Sequence, residues 1–201
     1  MEGPDGTGKT SQAKRLVAAL NTMGIAAFGT AEPAGTPLGA KIRAILGETT
    51  DPKTSLWLFL AARQEHMSQV IRPHLEGEEV VVCDRFALST LAYQGEVWAP
   101  DTIAHLNDIA TGGLRPDLTI VYDATDDTLL RRRGDLDALD ERYLQMRDGV
   151  VRRFREQVAS GDPSIVRIEI DGLGIEEVHQ QTLAVVRERL QDLHKPQPVM
   201  L

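Results

Sequence analysis

A chain of 201 residues, 42% hydrophobic and 26% charged, is long enough to bury a sizeable core and fits one domain over residues 1–201, which excludes disordered and collagen-like classes. With 22 Lys and Arg against 30 Asp and Glu the net charge is −8, so no broad basic face for nucleic acid is expected. A single cysteine, Cys83, can form no internal disulfide and suits a reducing, cytoplasmic compartment. No apolar run approaches the roughly 18 residues of a membrane span, and no export leader is visible.

Taken in chain order, apolar runs ending in acidic or turn residues alternate with longer segments of helical period, the rhythm of an α/β fold with a parallel sheet flanked by helices. Helices are predicted over residues 9–20, 54–75, 100–111, 125–133, 141–160 and 175–193, and strands over 25–30, 80–84, 118–123 and 165–170. Each strand segment is apolar or β-branched on both faces, as a strand covered on two sides must be. Residues 131–155 hold eight arginines against five acids in a chain that is otherwise acidic. That run reads either as a solvated helix face with internal ion pairs or as a flap of arginines over a polyphosphate.

The first eight residues of chemistry are Gly3-Pro4-Asp5-Gly6-Thr7-Gly8-Lys9-Thr10, which fit G-x-x-x-x-G-K-[ST] and run directly into a helical segment. The glycines allow a nest of backbone N–H donors around phosphates, Lys9 reaches the terminal phosphate oxygens, and the Thr10 hydroxyl can ligate Mg²⁺. Such a loop ordinarily follows a central strand, yet only Met1 and Glu2 stand ahead of Gly3. Either the true start lies upstream or the sheet lacks that strand and the loop its anchor.

A second constellation, Asp84-Arg85-Phe86-Ala87-Leu88-Ser89-Thr90-Leu91-Ala92-Tyr93-Gln94-Gly95, begins where a buried strand ends. Ligands of open α/β sheets bind beyond the carboxyl ends of strands, so Asp84 can hold Mg²⁺ and Arg85 can clamp a phosphate. If the segment after them is helical, Thr90, Tyr93 and Gln94 share one face and suit a nucleobase and a sugar; an ordinary polar helix face is the plainer alternative. Phe59 and Arg63, at i and i+4, offer a stacking ring beside a guanidinium, although alone they read as a core and a surface residue. The five histidines show no metal-ligand spacing.

The ordered strings E-G-P-D-G-T-G-K-T, E-P-A-G-T-P-L-G-A-K-I-R, F-L-A-A-R, D-R-F-A-L-S-T-L-A-Y-Q-G and R-P-D-L-T-I-V-Y-D together resemble the thymidylate kinase family along nearly the whole chain. The resemblance implies a P-loop nucleoside monophosphate kinase with a short arginine-rich lid over about residues 131–147, acting as a homodimer and transferring the γ-phosphoryl of ATP to dTMP with Mg²⁺. By the same resemblance ATP would be held by Gly3, Asp5, Gly6, Thr7, Gly8, Lys9, Thr10 and Ser11, and the metal by Thr10 and Asp84. Phe59 would stack on thymine, Arg63 would bond a ring carbonyl, and Thr90 and Gln94 would read the base edge. Tyr93 would crowd the 2′ position, Asp5 would hold the 3′-hydroxyl, and Arg43 and Arg85 would surround the acceptor phosphate, with Glu32 near the metal. Catalysis would fall to Lys9, Arg85, Arg132 and Arg133, the last two supplied by the lid as in the bacterial subtype. Two family arginines are replaced, by Ala31 and Ala138. A related deoxynucleotide kinase with another acceptor, and a degenerate module that binds nucleotide without turnover, are the alternatives.

Overall fold

A computed structural model describes residues 1–48, 51–131 and 138–193, with residues 130 and 138–145 given by their backbone alone. The elements run α1 (Lys9–Thr22), β1 (Ala27–Ala31), α2 (Pro37–Glu48), α3 (Pro52–His66), a π-helical turn (Met67–Ile71), α4 (Arg72–Glu76), β2 (Val80–Asp84), α5 (Ala87–Gln94), α6 (Pro100–Thr111), β3 (Thr119–Asp123), α7 (Asp126–Arg131), α8 (Ala138–Val158), β4 (Ile165–Glu169) and α9 (Ile175–Leu193). The four expected strands are all present, and both strand pairs are parallel. β1 lies beside β2 with Ala31 opposite Asp84, and β3 beside β4 with Asp123 opposite Glu169.

Two residues join these pairs into one surface. The Met1 nitrogen donates to the Cys83 carbonyl at 2.7 Å, and the Met1 carbonyl accepts from Arg85 N at 2.9 Å. Glu2 faces the other way: its N–H reaches the Ile120 carbonyl at 2.8 Å and its carbonyl takes Tyr122 N at 2.9 Å, a parallel bridge to Val121. The expectation of an unanchored phosphate loop is thereby corrected, because two residues suffice to tie Gly3 between β2 and β3. Gly3 itself has φ of 131° and sits so close to β3 that a Cβ would meet the Tyr122 carbonyl, so only glycine fits there.

Both faces of the sheet are covered, as β3 shows by alternation. Ile120 and Tyr122 pack with Leu16 and Leu20 of α1 and Val178 and Val186 of α9, while Val121 packs with Ala92 of α5 and Val150 and Phe154 of α8. With all strands parallel, the phosphate loop, the residues after β1 and those after β2 come to one edge, where an α/β sheet presents its site.

Three local features differ from expectation. Residues 37–48 fold as α2, where a Gly- and Pro-bearing string gave no periodic signal; Thr36 caps it by accepting Gly39 N at 2.9 Å. The predicted helix 54–75 begins earlier, at Pro52, with the Asp51 side chain capping Lys53 N and Thr54 N. It is then widened by the π turn, after which Pro73, lacking an N–H, opens α4. No helix among the described residues is long and apolar enough to cross a membrane.

Candidate active site

The phosphate loop is held by its own side chains. Lys9, buried at the start of α1, turns its Nζ back to the Pro4 carbonyl at 2.7 Å and to Thr7 Oγ1 at 3.3 Å, and Thr7 Oγ1 donates to the same carbonyl at 2.9 Å. Gly6 and Gly8 have φ of 85° and 84°, the left-handed conformations that let the loop curl before the helix. Burial, and then the neighbouring Arg85, lower the Lys9 pKa from its usual 10.5 to about 7, against the opposing pull of Asp5, Asp84 and Glu2. Phosphate oxygens would supply the missing negative charge.

Beside this loop Thr10 Oγ1 donates to Asp84 Oδ2 at 2.5 Å, while Asp84 Oδ1 is buried with no partner among the described residues. An orphaned carboxylate oxygen next to a hydroxyl matches a hard divalent cation, which takes oxygen ligands and completes its shell with phosphate and water. Among the described residues no three or more His, Cys, Asp or Glu cluster as a metal site.

Arg85 follows β2 with φ of 66°, a conformation that L side chains seldom adopt and that aims its guanidinium across the phosphate loop. It pairs with Asp5 and donates to Tyr93 Oη at 3.3 Å and Ser89 Oγ at 3.4 Å. Burial works against its charge, but Tyr93, Asp5, Glu2 and Asp84 outweigh that and hold its pKa above the usual value. Tyr93 in turn donates to Asp5 Oδ2 at 3.0 Å. Asp5, Arg85 and Tyr93, from three parts of the sequence, therefore meet at one point.

The second cluster centres on Arg63, 1% exposed near the end of α3. Its Nε and Nη2 donate to Glu32 Oε2 at 2.9 and 2.6 Å, and its Nη1 donates to Thr90 Oγ1 at 2.8 Å and to Asn107 Oδ1 at 2.5 Å. Four of its five N–H groups are thus committed, which leaves one on Nη2. Gln94, one turn after Thr90 on α5, is buried with its Oε1 unpartnered among the described residues. Phe59 is half-buried, packing against Ile42, Leu46 and Ala62, and a second ring, Phe86, lies 5.2 Å from the Arg63 guanidinium. Glu32, expected beside the metal, has both carboxylate oxygens turned to Arg63 and His66.

Other expected residues fall outside these clusters. Arg43 is exposed on α2, Ser11 is exposed on α1, and Arg132 and Arg133 lie outside the described residues. Farther along, the arginine run divides. Arg153 donates to the Ala92 carbonyl at 2.9 Å, Arg155 binds Asp123 at 3.0 Å, Arg152 pairs with Glu156, and Arg147 reaches Asp126 and Asp148, so this part of the run serves packing and ion pairing.

Sequence reasoning missed Glu2. Its Oε1 accepts Phe86 N at 2.8 Å and Ser89 N at 3.1 Å, and its Oε2 accepts the Ser89 hydroxyl at 2.5 Å, so a carboxylate from the sheet caps the helix that carries Thr90, Tyr93 and Gln94. Only the serine of the second constellation hinted at it. His66 and Asn107 were also missed, since their partners are remote in sequence.

Comparison with known proteins points one way. A sequence model of the thymidylate kinase family matches residues 1–182. A thymidylate kinase of Synechococcus sp. (strain JA-3-3Ab) is 40% identical over 194 residues, covering 94% of this chain and 95% of the relative. One from Thermomicrobium roseum is 42% identical over 195 residues, covering 93% and 92%. Among solved structures, the thymidylate kinase of Ehrlichia chaffeensis superposes with a TM-score of 0.76 at 29% identity, covering 92% of this chain and 95% of that one.

Proposed function

The chain belongs to the thymidylate kinase family, and from that membership we propose that it transfers the γ-phosphoryl group of ATP to the phosphate of dTMP, giving dTDP and ADP. Two observations near Thr90 support the choice of acceptor: Arg63 keeps one N–H uncommitted on Nη2, and Gln94, one turn further along α5, keeps a buried Oε1 without a partner among the described residues. A donor and an acceptor suit a thymine edge, which offers a carbonyl beside a ring N–H. With Arg63 at the ring carbonyl that the family resemblance assigns to it, cytosine would turn its amino group toward that N–H and a bare ring nitrogen toward Gln94 Oε1, and would leave both protein groups unsatisfied. Thr90 keeps its hydroxyl proton for the same edge, and the half-buried Phe59 supplies the stacking face.

Asp5 and Tyr93, assigned to the 3′-hydroxyl and to exclusion of a 2′-hydroxyl, are hydrogen-bonded to each other, which favours a single deoxyribose position beside the pair. Arg85 stands over the same point for the acceptor phosphate. Thr10 and Asp84 would hold Mg²⁺, which would supply positive charge against the phosphates. Lys9, released from the Pro4 carbonyl, would follow the charge that moves with the transferred group, while the glycine-rich backbone fixes its line of transfer. Arg132 and Arg133 in the 131–147 lid would neutralise the equatorial oxygens and exclude water.

We place the enzyme in the cytoplasm as one domain. It would assemble as a homodimer, for which the exposed Leu38 and Ile45 of α2 and Trp57 of α3 provide an apolar surface. The deciding experiment is a coupled ADP-release assay with ATP, Mg²⁺ and each nucleoside monophosphate in turn. A rate with dTMP well above the others is expected. Faster turnover of dCMP would point to another acceptor, and nucleotide binding without any turnover to a degenerate module.

A further inference from the structure

We infer that His66 and Asn107, which neither composition nor motif singled out, are positioning residues that hold the Arg63 guanidinium in the one orientation able to read the acceptor base; the inference rests on the dTMP reading above. An arginine side chain has many rotamers, and only a fixed one discriminates between two base edges. Arg63 is fixed from two sides. On one side Glu32 Oε2 takes two of its N–H groups, and the other oxygen, Oε1, lies 3.2 Å from His66 Nδ1. His66 stands one helical turn after Arg63, is fully buried, and has its Nε2 2.7 Å from Thr30 Oγ1 of β1.

A carboxylate only accepts, so Nδ1 carries a proton toward Glu32, while Nε2 shares a hydrogen with the Thr30 hydroxyl. Thr30 thus holds His66, His66 holds Glu32, and Glu32 holds Arg63. A side chain at Gly35 would press on the His66 ring, so the loop after β1 closes over it.

On the other side Asn107 of α6 accepts from Arg63 Nη1 at 2.5 Å and donates its own amide to the Ala87 carbonyl, the first residue of α5, at 3.2 Å. The second bond sets which way the amide points, with its oxygen toward the guanidinium. Asn107 therefore locks the base reader of α3 to the helix that carries Thr90 and Gln94. Without it, Nη1 gains a free N–H and the guanidinium can turn toward a different edge. Both residues are buried behind Arg63 and act through it.

A residue that serves only the fold would lower stability and leave both Michaelis constants together. A positioning residue splits them. Steady-state kinetics of the intact chain are measured for Asn107→Leu and His66→Leu, with melting temperature and ATP affinity alongside. Asn107→Leu is expected to raise KM for dTMP about 10–100-fold and to narrow the preference for dTMP over dCMP, with KM for ATP and the saturated rate within about 3-fold. His66→Leu is expected to raise KM for dTMP about 10-fold. His66→Asn, which can return an N–H to Glu32, is expected to recover most of that rise.

Should a leucine variant not fold, Asn107→Ser and His66→Ala carry the same comparison, each with a rise of about 3-fold or more in KM for dTMP alone. Folded leucine, serine or alanine variants with KM for dTMP unchanged, or with both Michaelis constants raised in parallel, overturn the inference. A parent chain that shows no preference for dTMP overturns instead the reading on which it rests, and the two failures are read from different proteins.

Discussion

Lys9 is almost wholly buried in a loop whose phosphate is still to come. Its pKa, about 7 in the folded chain against a usual 10.5, means that the unfolded chain binds more protons between those values. The cost of burying the charge is therefore complete below about pH 7 and relieved as pH rises toward 10.5, so stability increases across that window. Lys9→Met removes the titrating group and should flatten the rise by up to about 1.4 kcal/mol per pH unit. Urea unfolding of the nucleotide-free protein from pH 7 to 9.5 measures it; identical slopes for parent and variant would show that Lys9 does not titrate there. Residues of this kind were legible in the sequence, because Lys9, Thr10 and Asp84 act within strings a few residues long. The partners of Arg63 were not. Glu32, Thr90 and Asn107 lie 31, 27 and 44 positions away, and only the packing of α3 against α5, α6 and the segment after β1 brings them together.

At the scale of elements, α5 shows how a short helix can carry a site. Eight residues are too few to hold a helix by backbone bonds alone, and Phe86 at its start offers no side-chain cap. Glu2 supplies one from the centre of the sheet, satisfying two buried N–H groups and the Ser89 hydroxyl. Glu2→Ala leaves those donors buried and unpaired, and should cost about 1–3 kcal/mol in urea unfolding while raising KM for dTMP, since Thr90 and Gln94 move with α5. Glu2→Gln keeps a carbonyl oxygen for the two N–H groups and should lose less than half as much. Equal losses in the two variants would assign the effect to charge and not to capping. The strands wrote their positions plainly as apolar runs, even β1 and β4, where Gly29, Arg167 and Glu169 are exposed. α2 did not, because its two buried turns, Ile42 and Leu46, are set among Gly39 and Gly47 and follow a proline-rich loop that reads as a turn.

At the scale of the whole molecule, a cavity runs along the facing edges of β2 and β3. Below the level of Met1, β2 and β3 have no strand between them among the described residues, and a cavity of about 540 Å³ lies there. Leu16, Val186 and Leu190 line it from one face of the sheet and Ile71, Phe86 and Leu91 from the other, with Val80, Val82, Leu118 and Ile120 at its edges. Two parallel edges with apolar walls on both sides accept one more strand in the only direction that continues into Met1. Filling the gap would bury apolar side chains and satisfy backbone groups along both edges, while ordering the added residues opposes much of that gain. We therefore expect a net stabilisation of about 1–3 kcal/mol when four alternating valines and isoleucines are fused ahead of Met1. In a chain of this length that corresponds to a rise in melting temperature of about 3–10 °C. A Gly-Ser fusion of equal length has the same reach but no side chains for the cavity, and should leave the melting temperature where it was. If neither fusion raises it, the edges of β2 and β3 are not open to a strand, and an equal rise with both would credit backbone pairing alone and not the apolar walls. A rise confined to the apolar fusion would show that Met1 and Glu2 mark the end of a strand site through the middle of the sheet, the one from which the phosphate loop is held.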